Sequence, residues 1–199
     1  MLFWDVDTQV DFLSPGGRLY VPGGEKIIPN LRRLTAWAGE HHLTVISSAD
    51  AHRPGDPELQ VYGEHCMIGT PGQQKVEETL LLRRFIVPNR VIELPDLTKF
   101  QQVIIEKQAF DFASNPNSEK VLRQFASESA ITMYGVVTEI CVAAAARSLI
   151  AAGRRIHLVQ DAVAALDPAK AEAFFAELMR CGGTFVTVEE LIASSHLLA

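Results

Sequence analysis

The sequence predicts a single α/β domain over residues 1–199, doubly wound, with a mostly parallel six-stranded sheet and helices on both faces. Three observations carry this. Short apolar runs alternate with longer amphipathic stretches from one end of the chain to the other. The runs lack the polar alternation of half-exposed strands, as expected where a parallel sheet is covered on both sides. A chain of 199 residues, 48% hydrophobic and 21% charged, is large enough to bury one continuous core.

The elements follow in order. Residues 2–6 read as the first strand, followed by a Gly- and Pro-rich loop over 15–24. Residues 25–40 place Ile28, Leu31, Leu34 and Ala38 at helical spacing. A second strand covers 43–47, and a long loop, 50–72, comes after it. Loops of that length inside a compact domain are usually functional. The third strand is 103–106, then a helix over 117–127 with Val121, Leu122 and Phe125 on one face, and a fourth strand over 130–135. A helix begins near Cys141 and stops at Gly153. Strand 155–159, a helix over 168–180 with Asp167 as N-cap and Pro168 in its first turn, and strand 184–186 complete the scheme.

A formal net charge of -6 with no Lys/Arg cluster argues against a nucleic-acid partner. The apolar runs at 130–137 and 141–146 are far shorter than the roughly 20 residues of a membrane helix, so no membrane partner is expected. The N-terminal residues lack the pattern of a secretory signal, so a cytoplasmic location is the expectation. Three widely spaced cysteines, Cys66, Cys141 and Cys181, fit neither a disulfide framework nor a Cys-rich zinc module and read as reduced thiols.

Position singles out the functional candidates. Ligands of an open parallel sheet bind beyond the carboxyl ends of its strands. Asp7 follows strand one, Asp50 and His52 strand two, Lys107 strand three, and the turn from Gly135 to Cys141 strand four. One Asp at a strand end is ordinarily a loop or cap residue; four successive strands delivering such groups to one edge are harder to explain that way. Cys141, at the start of a helix, is the candidate nucleophile, since a helix N-terminus favours a thiolate; the plain alternative is a core cysteine. Lys107 needs a carboxylate partner, and Asp7 is the natural one. The two are either a proton-transfer pair beside the thiol or a simple strand-end salt bridge.

Asp50, His52 and His65 form a second constellation. Oxygen and imidazole donors in one loop region suit zinc, iron or manganese, and three ligands leave positions for water or substrate; the alternative is ordinary polar loop residues. His41, His42, His157 and His196 read as surface residues.

These residues carry a resemblance. Asp7-Thr8-Gln9-Val10-Asp11-Phe12, the Asp50-Ala51-His52 loop with His65 to Gly72, Glu106-Lys107, and Gly135 through Val142 resemble, in order, the motifs of the isochorismatase-like cysteine hydrolases, and within them the nicotinamidase (pyrazinamidase) group. The segment Val159 to Val163 is similar to a later strand-end motif. The resemblance implies an isochorismatase-like, Rossmann-type fold. It also implies a catalytic triad of Asp7, Lys107 and Cys141, and hydrolysis of nicotinamide to nicotinate and ammonia, in NAD salvage, through a cysteine thioester. It further implies a cis peptide between Val136 and Val137, an oxyanion hole from the N–H groups of Val137 and Cys141, and one divalent metal, zinc first among the candidates, on Asp50, His52 and His65. Phe12, Leu13 and Tyr62 would be pocket walls. The partner would be a small-molecule amide, and such enzymes are often homo-oligomers. The chain departs from the group at Tyr62, where a Trp is common, and at Pro57 and Glu58, where some members supply another histidine. The rival readings are another small-amide, carbamoyl or ureide hydrolase of the same superfamily, a metal hydrolase with Cys141 merely packed, and a non-catalytic protein that retains the fold.

Overall fold

β1 (Leu2–Val6) is buried along its whole length, which places it inside the sheet. In the computed structural model, which describes residues 1–193, β1 lies in the middle of seven strands. His196 falls outside those residues. The other strands are β2 (Val45–Asp50), β3 (Arg84–Val87), β4 (Gln102–Lys107), β5 (Ala130–Val136), β6 (Arg155–Ala164) and β7 (Thr184–Val186). Their order is β3-β4-β2-β1-β5-β6-β7, and every neighbouring pair is parallel. No helix of the described residues is long and apolar enough to cross a membrane.

The helices are α1 (Val10–Leu13), α2 (Gly24–Glu40), α3 (Leu59–Tyr62), α4 (Ser118–Gln124), α5 (Ala143–Ala151), α6 (Pro168–Arg180) and α7 (Val188–Ala193). One core packs Trp4, Val6, Ile46, Ile105 and Met133 of the sheet against Val121 of α4, Ala146 and Leu149 of α5 and Phe174 of α6. The other packs Phe3, Val45, Tyr134 and Val159 against Leu31, Leu34 and Trp37 of α2 and Leu191 of α7. The sheet is thus doubly wound, as expected.

The strand count was one too few. β3 is a four-residue edge strand, largely exposed, so it lacks the continuous apolar signature of the buried strands. β2 and β4 also run further than expected, and Asp50 and Lys107 are their last residues rather than loop residues. α4 stops at Gln124, short of the expected end at 127.

Two close approaches shape the crevice at the switch point between β1 and β5. Gly135 has φ +117°, and a Cβ there would lie 2.0 Å from the Val6 carbonyl oxygen, so only glycine lets β5 run this close to β1. A Cβ on Gly72 would lie 2.1 Å from the Asp11 carboxylate, which receives the Cys66 N–H at 2.7 Å and the Arg18 N–H at 3.0 Å. Asp11 thereby pins the long loop after β2 against α1. Gln9 ties the end of β2: its side-chain oxygen accepts the Asp50 N–H at 2.7 Å, and its amide donates to the Asp50 carbonyl at 2.8 Å.

Candidate active site

Asp7 leaves β1 with φ +48°, a left-handed conformation that Asp tolerates better than most residues. Its carboxylate is fully buried, accepts the Ser48 hydroxyl at 2.7 Å, and stands 2.9 Å from Lys107 Nζ. Ser48 and Asp50, two residues apart on β2, share a face of the strand. Lys107 bridges two carboxylates rather than one, since Asp50 Oδ1 also accepts from Nζ in a very short bond. The Cys141 sulfur lies 3.7 Å from the same nitrogen. One oxygen each of Asp7 and Asp50 and the Cys141 sulfur lie within 4.8 Å of one another.

Burial disfavours the Lys107 ammonium, but Asp50 and Asp7 outweigh it and hold its pKa well above the ordinary value. Burial lifts Asp50 to about 7, with Lys107 opposing and Asp7 and Glu58 adding to the rise. Cys141 behaves differently from the sequence expectation. It sits in a π-helical turn, Thr138–Val142, just ahead of α5, and is 3% exposed. Burial pushes its thiol well up, Lys107 pulls down, and Asp7 and Asp50 push up again. The net environment favours the neutral thiol. The Val136–Val137 peptide is cis.

A second cluster adjoins the first. Asp50, His52, Glu58 and His65 each offer a ligand atom within 4.8 Å of the others, a group that could hold a metal ion. His52 Nε2 is 3.9 Å from Asp50 Oδ1 and 3.8 Å from Glu58 Oε1, and His65 Nε2 is 4.0 Å from Asp50 Oδ2 and 3.6 Å from Glu58 Oε1. These gaps are too long for hydrogen bonds, yet two ligands of one ion with bonds of about 2.0–2.2 Å stand no more than about 4.4 Å apart. Both Nε2 atoms, Asp50 Oδ2 and Glu58 Oε2 are buried without a hydrogen-bond partner. The opposite ring nitrogens are held, His52 Nδ1 at 3.2 Å from Asp56 Oδ2 and His65 Nδ1 at 2.9 Å from the Gly63 carbonyl, which is how ligating imidazoles are oriented. The residues present therefore fit a divalent cation. Burial lowers the pKa of His52; in His65, Glu58 and the Gly63 carbonyl outweigh burial and the shift is upward.

Glu58 completes the group. The sequence marked its position only as a departure, where some members of the nicotinamidase group supply another histidine; its spacing from His52 and His65 does not show that the glutamate itself faces them.

Over Cys141 lies a cavity of about 10 Å³ lined by Phe12, Leu19, Glu58, Tyr62, Phe110, Val137, Ile140 and Leu166. Phe12 and Tyr62 are among its lining residues. Leu13 is not: it is fully buried in the core beneath α2, because consecutive residues of α1 face different ways. Of the other cysteines, Cys66 is buried, with its thiol pushed far up by burial, and Cys181 is exposed.

The chain belongs to the isochorismatase family: the family model, described as an isochorismatase domain, matches residues 4–190. It is thus an isochorismatase-like hydrolase. Among solved structures, it is similar to N-carbamoylsarcosine amidase from Thermoplasma acidophilum, at 25% identity and a TM-score of 0.76, over 95% of this chain and 96% of that one. It is also similar to the pyrazinamidase of Pyrococcus horikoshii in complex with zinc, at 28% identity and a TM-score of 0.74, over 94% and 98%. A nicotinamidase from Bacillus subtilis shares the fold at 20% identity and a TM-score of 0.75, over 93% and 98%. No curated protein matches the sequence.

Proposed function

We propose that the chain is a nicotinamidase-like cysteine amidohydrolase, converting nicotinamide to nicotinate and ammonia as a step of NAD salvage. The observation that carries this reading is the pair of partnerless buried imidazole nitrogens beside Lys107, Asp7 and Cys141. A cation held by Asp50, His52, Glu58 and His65, zinc before iron or manganese, would supply a Lewis-acid anchor for a ring nitrogen of the substrate.

The chain's own residues perform the chemistry. The Cys141 thiol is neutral at rest, so its proton passes to the Asp7 carboxylate as sulfur attacks the amide carbon. Lys107 stays protonated and holds Asp7 and the sulfur together. The N–H groups of Val137 and Cys141 donate to the developing oxyanion, about 3 kcal/mol each. Asp7 then gives its proton to the leaving nitrogen, and ammonia departs from a Cys141 thioester. Water attacks that thioester after losing a proton to Asp7, nicotinate leaves, and the sulfur recovers the proton from Asp7.

The carbamoyl reading is supported by the similarity to the N-carbamoylsarcosine amidase. An N-carbamoyl amino acid carries a carboxylate, however, and among the described residues no Lys or Arg lines the cavity over Cys141. Apolar and aromatic walls favour a neutral planar amide. The test is ammonia release by zinc-loaded protein from nicotinamide, pyrazinamide and N-carbamoylsarcosine. Background rates with both ring amides would sink the reading, and turnover of the carbamoyl compound alone would replace it.

A further inference from the structure

The cavity over Cys141, about 10 Å³, has the room of roughly one water molecule, so no ring amide enters until a wall moves. Phe12 and Val137 belong to the packed core. Tyr62 and Phe110 instead reach over the cavity from outside the sheet, their ring centroids 5.9 Å apart and edge-to-face at 87°, with Phe110 38% exposed. Tyr62 ends α3, a single turn bracketed by Gly55 and Gly63. Both glycines have positive φ, +95° and +75°, and a Cβ built on either meets nothing within 4 Å, so the turn hangs between two unpacked joints.

Glu58 precedes the same turn. Its carbonyl accepts the N–H groups of Val61 at 3.0 Å and Tyr62 at 3.1 Å, while its carboxylate faces the two imidazoles of the metal cluster. One short turn therefore carries a candidate ligand at its start and a pocket wall at its end. Asp50 and Glu58 present two carboxylates to the same space, and Lys107 pairs with Asp50 but not with Glu58, so the Glu58 carboxylate faces a like charge unless a cation stands between them.

We propose that Glu58 is a positioning residue: a divalent cation at Asp50, His52 and His65 draws in its carboxylate and so latches α3 as a lid, setting Tyr62 as a wall over Cys141. The proposal rests on the metal reading above. Without the cation the turn swings freely on Gly55 and Gly63; with it the turn opens only transiently, which is when the amide enters. Ion binding and lid closure are then reciprocally linked.

The test is amide hydrogen exchange over residues 59–63, in EDTA and with one equivalent of zinc, on the native protein, Glu58→Gln and Glu58→Asp, with zinc stoichiometry measured on each. Zinc should slow exchange in the native protein roughly ten-fold, by less than about two-fold in Glu58→Gln, and to an intermediate degree in Glu58→Asp. Zinc bound with unchanged native exchange would overturn the latch and leave the metal site standing, as would equal slowing in Glu58→Gln. Failure of the native protein to bind zinc would sink the metal reading and the latch together.

Discussion

Replacing Lys107 with Met removes the cation that sits between Asp7 and Asp50 and keeps a side chain of similar reach. Asp7 is 2.9 Å from the ammonium and Asp50 closer still, all three essentially fully buried. Deleting one partner of a buried ion pair costs about 3–5 kcal/mol, because the remaining charge is left uncompensated. For a domain of this size each kcal/mol shifts Tm by about 2–4 °C, so Lys107→Met should melt about 6–20 °C below the native protein near pH 8 in EDTA. The pH dependence has a definite sign. Lys107 has a folded pKa above its unfolded value, so its contribution is present in full below the unfolded value, near 10.5, and is lost as pH rises through the folded one. In the variant, Asp50 loses the cation that opposes its rise, so its folded pKa climbs above the native value of about 7 and the variant's deficit grows as pH rises through about 7. Thermal melts at about pH 5 and pH 8 read this growth. A variant within about 2 °C of native at pH 8, or a deficit equal at both pH values, would show that Lys107 does not hold the two carboxylates together.

Three further outcomes are expected. Gly135→Ala forces a Cβ to 2.0 Å from the Val6 carbonyl oxygen at φ +117°, which should cost about 3 kcal/mol or more; a native urea midpoint would contradict the close approach of β5 to β1. Zinc at about a hundred times its Kd should stabilise the EDTA-stripped protein by about 2.7 kcal/mol, a Tm rise of about 5–10 °C, and His65→Ala should lose most of it; no rise in the native protein would remove the metal. Burial first, and Arg155 second, pull His157 below its ordinary 6.5, so stability should decline as pH falls below that value. The urea midpoint of His157→Gln should therefore change less between about pH 7 and pH 5 than the native one, and an unchanged slope would rule His157 out as a source of it.

The fold was largely legible because six of its strands carry apolar runs that need no partner information to recognise. β3 was illegible for the opposite reason: an exposed edge strand with Arg84 at its start resembles a loop in composition. At the site, strand-end position drew attention to Asp7, Asp50, Lys107 and Cys141, and the fold gathers all four into one cluster. What the sequence hid was how they share charge. That Asp50 answers both to Lys107 and to the imidazoles depends on the pairing of β2 with β4, which places Asp50 opposite Lys107. Glu58 was legible only as a departure from a histidine that some similar enzymes supply there, because no period in this irregular loop relates it to His52 or His65. The thiolate expectation for Cys141 rested on a helix start; the structure instead sets it in a π-helical turn ahead of α5, where burial beside two carboxylates outweighs the pull of Lys107.

Cys141 is proposed to form the covalent bond to the substrate. Rapid-quench mass spectrometry of zinc-loaded protein turning over nicotinamide tests for that bond. One nicotinoyl group is expected on the peptide containing Cys141, and neither adduct nor ammonia release in Cys141→Ala. Ammonia release that persists in Cys141→Ala, with no adduct on the native protein, would contradict it.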